Sequence, residues 1–358
     1  MKTPALKNKY LRAAVFISYS LFVFWLVFGV VGAGLSDLFR SALEFIFGLI
    51  VPAVSESHPL FIPLDLIARG IVPVVIILLG FLPQVILLFG SMETGRILLG
   101  IGSTHPFLLG FGCTTVAVSS LCPGNRSNKS ITRGLGFIPC SAKLPVVLLF
   151  AGYLGFGFLS IYLIYLALTV FAFIIKGKTK AQTASEITTV QKFNAKNILV
   201  NTRDFLKRIS LTLIIFAAAL YFFSNFNFGL GFTGEFRGSI LYWTASAAEP
   251  LFIPIGLGNA AVIAVLVFGL MGKEMTIASL AIIGGGIDLF STAGPIAFTM
   301  ASAAAFLAFF MLYPTCVPAF GATASRCGRR HAIRCAGLNL VTAYLVSFFV
   351  YTTMLFFL

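Results

Sequence analysis

Apolar runs long enough to cross a bilayer alternate along this chain with short polar stretches. The alternation predicts an all-α, polytopic membrane protein with about 8 to 9 hydrophobic segments. After Lys2, Lys7, Lys9 and Arg12, residues 13–34 form an apolar run of about 20 residues, long enough to span as a helix. The run has neither the short core nor the small-residue cleavage site of a signal peptide, so it reads as a retained first helix with a cytoplasmic amino terminus. Residues 36–48 carry an apolar face at helical spacing with Asp37, Arg40 and Glu44 opposite, the pattern of an interfacial helix. Further apolar runs cover residues 70–91, 137–154, 156–175, 209–223, 257–270, 297–312 and 336–358, with an aromatic, Gly-rich stretch at 224–243 suited to the headgroup region.

Several of these runs are broken. Residues 109–152 read LGFGCTTVAVSSLCPGNRSNKSITRGLGFIPCSAKLPVVLLFAG, placing Cys113 and Cys140 among Gly110, Gly112, Pro139 and Pro145. Near the end of the chain, Cys316 lies between Pro314 and Pro318. A helix interrupted in hydrocarbon frees backbone carbonyls and amides, which protein, water or an ion must satisfy. Such breaks therefore mark binding or permeation sites. The two regions share an order: apolar run, glutamate, broken cysteine-bearing run, basic loop, apolar helix. Glu93, Cys113 and Arg126 in one correspond to Glu274, Cys316 and Arg329 in the other. This pattern predicts an internal duplication with the site between the copies. Topology agrees, because full crossings on both sides of the first glutamate would put two basic loops outside, so a segment in each copy should be re-entrant.

Composition supports the membrane assignment. Mean hydropathy is +1.01, with 59% hydrophobic and 10% charged residues, too few polar groups to cover a water-soluble globule. The net charge of +14 falls in short inter-run loops, where the positive-inside rule accounts for it without nucleic acid. The most basic of them, between Lys176 and Arg208, carries eight Lys or Arg against Glu186 and Asp204 and reads as a cytoplasmic loop. Six cysteines without CxxC spacing form neither a disulfide framework nor a zinc signature.

Glu93 either pairs with Arg96 at the interface or faces a polar cavity. The adjacent Lys273 and Glu274 imply mutual or cross-helix neutralisation, or a polar pathway. A single buried cysteine is commonly a small hydrophobe, but Cys113, Cys140 and Cys316 all lie beside Gly or Pro breaks. Thiolates with carboxylate and carbonyl oxygens make a borderline donor set suited to first-row divalent metals. His58, His105 and His331 are scattered, and no HExxH occurs, so no catalytic residues are assigned and an intramembrane enzyme is not expected.

The chain resembles the FeoB family of ferrous iron transporters from about Leu21 to Tyr351. The resemblance is carried by Gly110-Phe111-Gly112-Cys113, by Asn125-Arg126 with Ile131-Thr132, and by Pro139-Cys140-Ser141-Ala142-Lys143-Leu144-Pro145. It is carried as well by Phe81-Leu82-Pro83-Gln84, by the run Glu249-Pro250-Leu251-Phe252-Ile253-Pro254-Ile255-Gly256, and by Gly272-Lys273-Glu274. Thr114-Thr115-Val116 stands where the family has Asn-Val-Pro, Lys143 where Arg is usual, and Pro314-Thr315-Cys316 where the family has Thr-Pro-Cys. The family's segment after Glu93 is cut down to Arg96 through His105.

The resemblance implies two gate-like repeats with interrupted or re-entrant helices. Residues 1–69 then hold the first and interfacial helices, 70–175 the first gate repeat and 176–208 the basic loop. Residues 209–256 form a connecting helix and external segment, and 257–358 the second repeat. It implies multi-pass residence in the cell membrane and uptake of Fe2+ as transported ion, with no permanently bound cofactor. Cys113, Cys140, Cys316, Glu93 and Glu274 are the expected metal donors. No GxxxxGK[ST] loop occurs in the sequence, so the chain is expected not to hydrolyse GTP itself. The expected partners are the bilayer, a separate GTPase subunit at the basic loops and a second copy of the chain. The alternatives are a gate-family transporter of another solute, such as a nucleoside, and a non-transporting regulatory subunit.

Overall fold

The computed structural model describes residues 106–119, 121, 126–176, single positions between 203 and 216, 218–229, 231–233, 236–273, 275–284 and 296–357. The first helix, the interfacial helix, the run 70–91, Glu93, most of the basic loop and Glu274 lie outside the described residues. The chain divides into two compact units, Met1–His105 with Thr183–Ile214 and Pro106–Gln182 with Ile215–Leu358. In the first, the few described positions are helical, and the Ser210 hydroxyl donates to the Lys207 carbonyl (3.3 Å). Everything below concerns the second.

That unit is helical, and no strand occurs among the described residues; a single bridge pairs Phe226 with Phe232. In order come α1 (Pro106–Gly112), α2 (Thr114–Ser119), α3 (Arg126–Leu135), a 3₁₀ turn (Ser141–Lys143), α4 (Leu144–Tyr153) and α5 (Phe158–Lys176). After a helical segment over 218–225 follow α6 (Ile240–Ser246), α7 (Glu249–Phe252), a second 3₁₀ turn (Ile253–Ile255) and α8 (Ala260–Met271). The chain closes with α9 (Met275–Gly284), α10 (Met300–Leu312), α11 (Val317–Cys327) and α12 (Arg329–Phe357).

Two stretches, Met300–Cys327 and Arg329–Phe357, are long and apolar enough to cross a membrane. Their surroundings differ: the most apolar stretch of the first is 61% buried and that of the second 11%, so α10 belongs to the interior while α12 turns most of its surface outward. Leu345, Phe349, Phe356 and Phe357 lie on that outward surface, where a lipid environment favours them. A third apolar stretch, Glu249–Ile255 with Ala260–Met271, bends by 95°.

The bend has a local cause. Gly256 ends the second 3₁₀ turn at φ 73°, and any Cβ there would run into the Tyr351 ring of α12. Just beyond it α8 starts with two caps, Asn259 Oδ1 accepting from the Ala261 amide and Glu249 Oε1 from the Ala260 amide, both at 2.8 Å. Glu249 of the EPLF run is thus the carboxylate that closes the helix start after the bend.

The core centres on α10. Its first turn is fixed by a capping box in which Thr299 and Ser302 exchange side-chain and backbone bonds. Alanines 301, 303, 304 and 305 let α12 approach, and the Ser347 hydroxyl donates to the Ala305 carbonyl (2.9 Å). On another face Phe306 stacks on Phe150 of α4 at 4.6 Å between centroids, with Phe298 edge-on to both.

Candidate functional site

Both sulfur-bearing runs are interrupted, and each interruption is stitched by a side chain from elsewhere. α1 ends at Gly112, Cys113 stands outside any helix, and the ladder resumes as Ala117 N–H donates to the Cys113 carbonyl (3.0 Å). The Gly112 carbonyl receives the Ser141 hydroxyl at 2.7 Å. Gly110, one turn earlier, packs so tightly that a Cβ would stand 3.0 Å from the Leu135 side chain.

The second interruption is wider. α10 ends at Leu312, residues 313–316 are non-helical, and α11 begins at Val317 with Cys316 as its N-cap and Pro318 in its first turn. Pro314 has no N–H for the Phe310 carbonyl, and Pro318 has none for the Pro314 carbonyl. Two lysines donate to carbonyls at this break, one of them to Pro314. Lys143 Nζ donates to the Met311 carbonyl (2.6 Å), and Lys273 Nζ to the Pro314 carbonyl (2.7 Å) while sitting 3.1 Å above the Tyr313 ring centre.

These lysines are only 3% and 2% exposed, a burial that an ammonium tolerates only with strong partners. At the C-terminal end of a helix the exposed carbonyls and the macrodipole supply them. Close packing of α8 against this end requires Gly269, since a Cβ there would collide with the Thr276 and Tyr313 hydroxyls.

The segment from Pro139 to Pro145 therefore binds both interruptions: Ser141 reaches Gly112 and Lys143 reaches Met311. Pro139 precedes the 3₁₀ turn for which Cys140 is the N-cap, and Pro145 sits in the first turn of α4, where its missing N–H costs nothing. Cys140 and Cys316 are both near enough to Lys143 to interact electrostatically with it. The arms also touch directly, for α2 packs along α11 and the Thr115 hydroxyl lies 4.0 Å from Cys316 Sγ. Arg326 at the end of α11 donates to the Ser119 carbonyl at the end of α2 (2.9 Å), capping its partner arm.

Cys113, Cys140 and Cys316 are half-buried thiols. Among the described residues no three His, Cys, Asp or Glu side chains converge on one point that could hold a metal. Sequence reasoning missed Ser141 and Lys143 as the residues that tie the interruptions together. Their place in the motif was visible, but their partners lie 29 and 168 residues away.

No family model matches the chain, and no solved structure matches it. Curated relatives do. A protein of Methanocaldococcus jannaschii named Fe(2+) transporter FeoB is 29% identical over 233 residues, 59% of this chain and 35% of the relative. One of the same name from Staphylococcus aureus is 28% identical over 234 residues, 60% of this chain and 35% of the relative. Another from Synechocystis is 28% identical over 155 residues, 42% of this chain and 24% of the relative. The chain thus matches about a third of the length of the longer-matching relatives. With its apolar helices long enough to cross a bilayer and these homologues, the chain is a membrane protein similar, over about 60% of its length, to the transporters named FeoB.

Proposed function

We propose that this chain conducts ferrous iron across the membrane along a path between its two interrupted arms. The observation that carries the reading is the contact of Thr115, two residues past Cys113, with the sulfur of Cys316, because it brings both interruptions to one place. The relatives' name supplies the ion, and it favours iron over a nucleoside or a purely regulatory role.

Cys113, Cys140 and Cys316 are the thiols assigned to the ion, with Glu274 as a carboxylate donor. Thiolates favour soft to borderline cations, and few protein donors at once keep binding weak enough for release. A dication on two thiolates is neutral, so it adds no net charge beside Lys143, whose ammonium keeps the Met311 carbonyl as its partner. The internal duplication expected from the sequence pairs the two arms, with the site at their junction. The protein moves its substrate unchanged, and a GTPase docking on the basic loops would supply the drive.

Reconstituted vesicles test this. Cys316→Ser should abolish ferrous iron uptake while the protein still elutes as a single folded species. Uptake at the wild-type rate in both Cys113→Ser and Cys316→Ser would remove the metal reading.

A further inference from the structure

Beyond the two interruptions, α12 carries a second set of donors. His331, Cys335 and Asn339 recur at every fourth position and therefore share one face of the helix. Cys335 Sγ lies 3.2 Å from His331 Nε2, and the Thr132 hydroxyl of α3 lies 3.0 Å from the same nitrogen. That hydroxyl also stands 3.9 Å from Cys327 Sγ. Asn339 is 2% exposed; its amide donates to the Gly136 carbonyl (3.1 Å), while its buried Oδ1 has no hydrogen-bond partner. A narrow cavity runs along this face. Cys335, Asn339 and Thr132 line it together with Thr114 and Thr315, the neighbours of Cys113 and Cys316.

From this geometry we infer that His331 and Cys335 form a two-donor chelate for a soft or borderline divalent cation, with Cys335 on the wall of the small cavity that Thr114 and Thr315 also line. A nitrogen at about 2.0–2.1 Å and a sulfur at about 2.3 Å from a tetrahedral ion are about 3.5 Å apart, so the observed separation needs little adjustment. Residues four apart on a helix have Cβ atoms about 5–6 Å apart, so both side chains can reach one ion from the same face. Cation binding takes the proton from the Cys335 thiol and releases it to solvent, leaving a thiolate and a neutral imidazole on the ion. Water and the Thr132 hydroxyl complete the shell, with Cys327 in reach through that hydroxyl. Two protein donors hold an ion briefly, which suits a waypoint rather than a structural site. The direction of travel rests on the transport reading above, whereas the chelate itself does not.

Cobalt(II) is the probe, because thiolate coordination gives it a charge-transfer absorption. The purified full chain in detergent should develop this band, and Cys335→Ser should remove the contribution of a single ion. His331→Gln should weaken that contribution on the order of tenfold or more in affinity. Replacing Cys113, Cys140 and Cys316 together by Ser should leave it in place. A wild-type band unchanged by Cys335→Ser, or no band at all, would overturn the inference. Uptake lost in Cys316→Ser with no cobalt band at Cys335 would sink the chelate alone, and a band at Cys335 with uptake indifferent to Cys316 would sink the transport reading alone.

Discussion

Ser141 shows how much one hydroxyl can carry in a broken helix. Its bond to the Gly112 carbonyl is the described side-chain link between the first interruption and the motif that follows it. Ser141→Ala leaves that carbonyl without this donor in a part-buried setting, which costs about 1–3 kcal/mol. A lowered thermal midpoint in detergent is the expected reading, and an unchanged midpoint would contradict the assigned bond. Gly256 is the other position at which a single atom decides. Its positive φ and the Tyr351 ring both oppose a side chain, so Gly256→Ala should cost about 1–3 kcal/mol. Adding Tyr351→Ala should recover only the steric share, measured by the same unfolding midpoint; full recovery would mean that backbone strain plays no part.

At the scale of elements, the interruption between α10 and α11 depends on two prolines and two lysines. Pro318→Ala restores an N–H that can reach the Pro314 carbonyl and compete with Lys273. The interruption should then tighten toward continuous helix. Ion uptake should fall while thermal stability holds or rises, and a variant that loses stability along with uptake would show that the proline serves packing instead. Gly and Pro act through the local backbone, so interruptions near Cys113 and Cys316 can be read from the sequence. What satisfies the exposed carbonyls cannot, because Lys143 and Met311 meet only through the tertiary fold. Lys273 illustrates the same limit: beside Glu274 in sequence it reads as half of an ion pair, yet its described partners include a carbonyl and an aromatic ring. His331 illustrates a different one. Three histidines spread through the chain look unrelated, although the four-residue step from His331 to Cys335 on one helix was there to be read.

For the whole molecule the governing feature is that two arms distant in sequence share one junction, α2 along α11, pinned by Ser141, Lys143 and Arg326. The helical, membrane character was legible from composition and run length, since both follow from what lipid demands of a backbone. The pairing of the arms follows from packing over about two hundred residues, and hydropathy alone does not encode it. The most direct measurement is ferrous iron uptake by vesicles containing Thr115→Cys, compared after mild oxidation and after subsequent reduction. With 4.0 Å between the Thr115 hydroxyl and Cys316 Sγ, the new thiol should form a disulfide with Cys316, uptake should stop, and reduction should restore it. A disulfide that forms while uptake continues, or thiols that never join, would contradict a passage at the junction of the two arms.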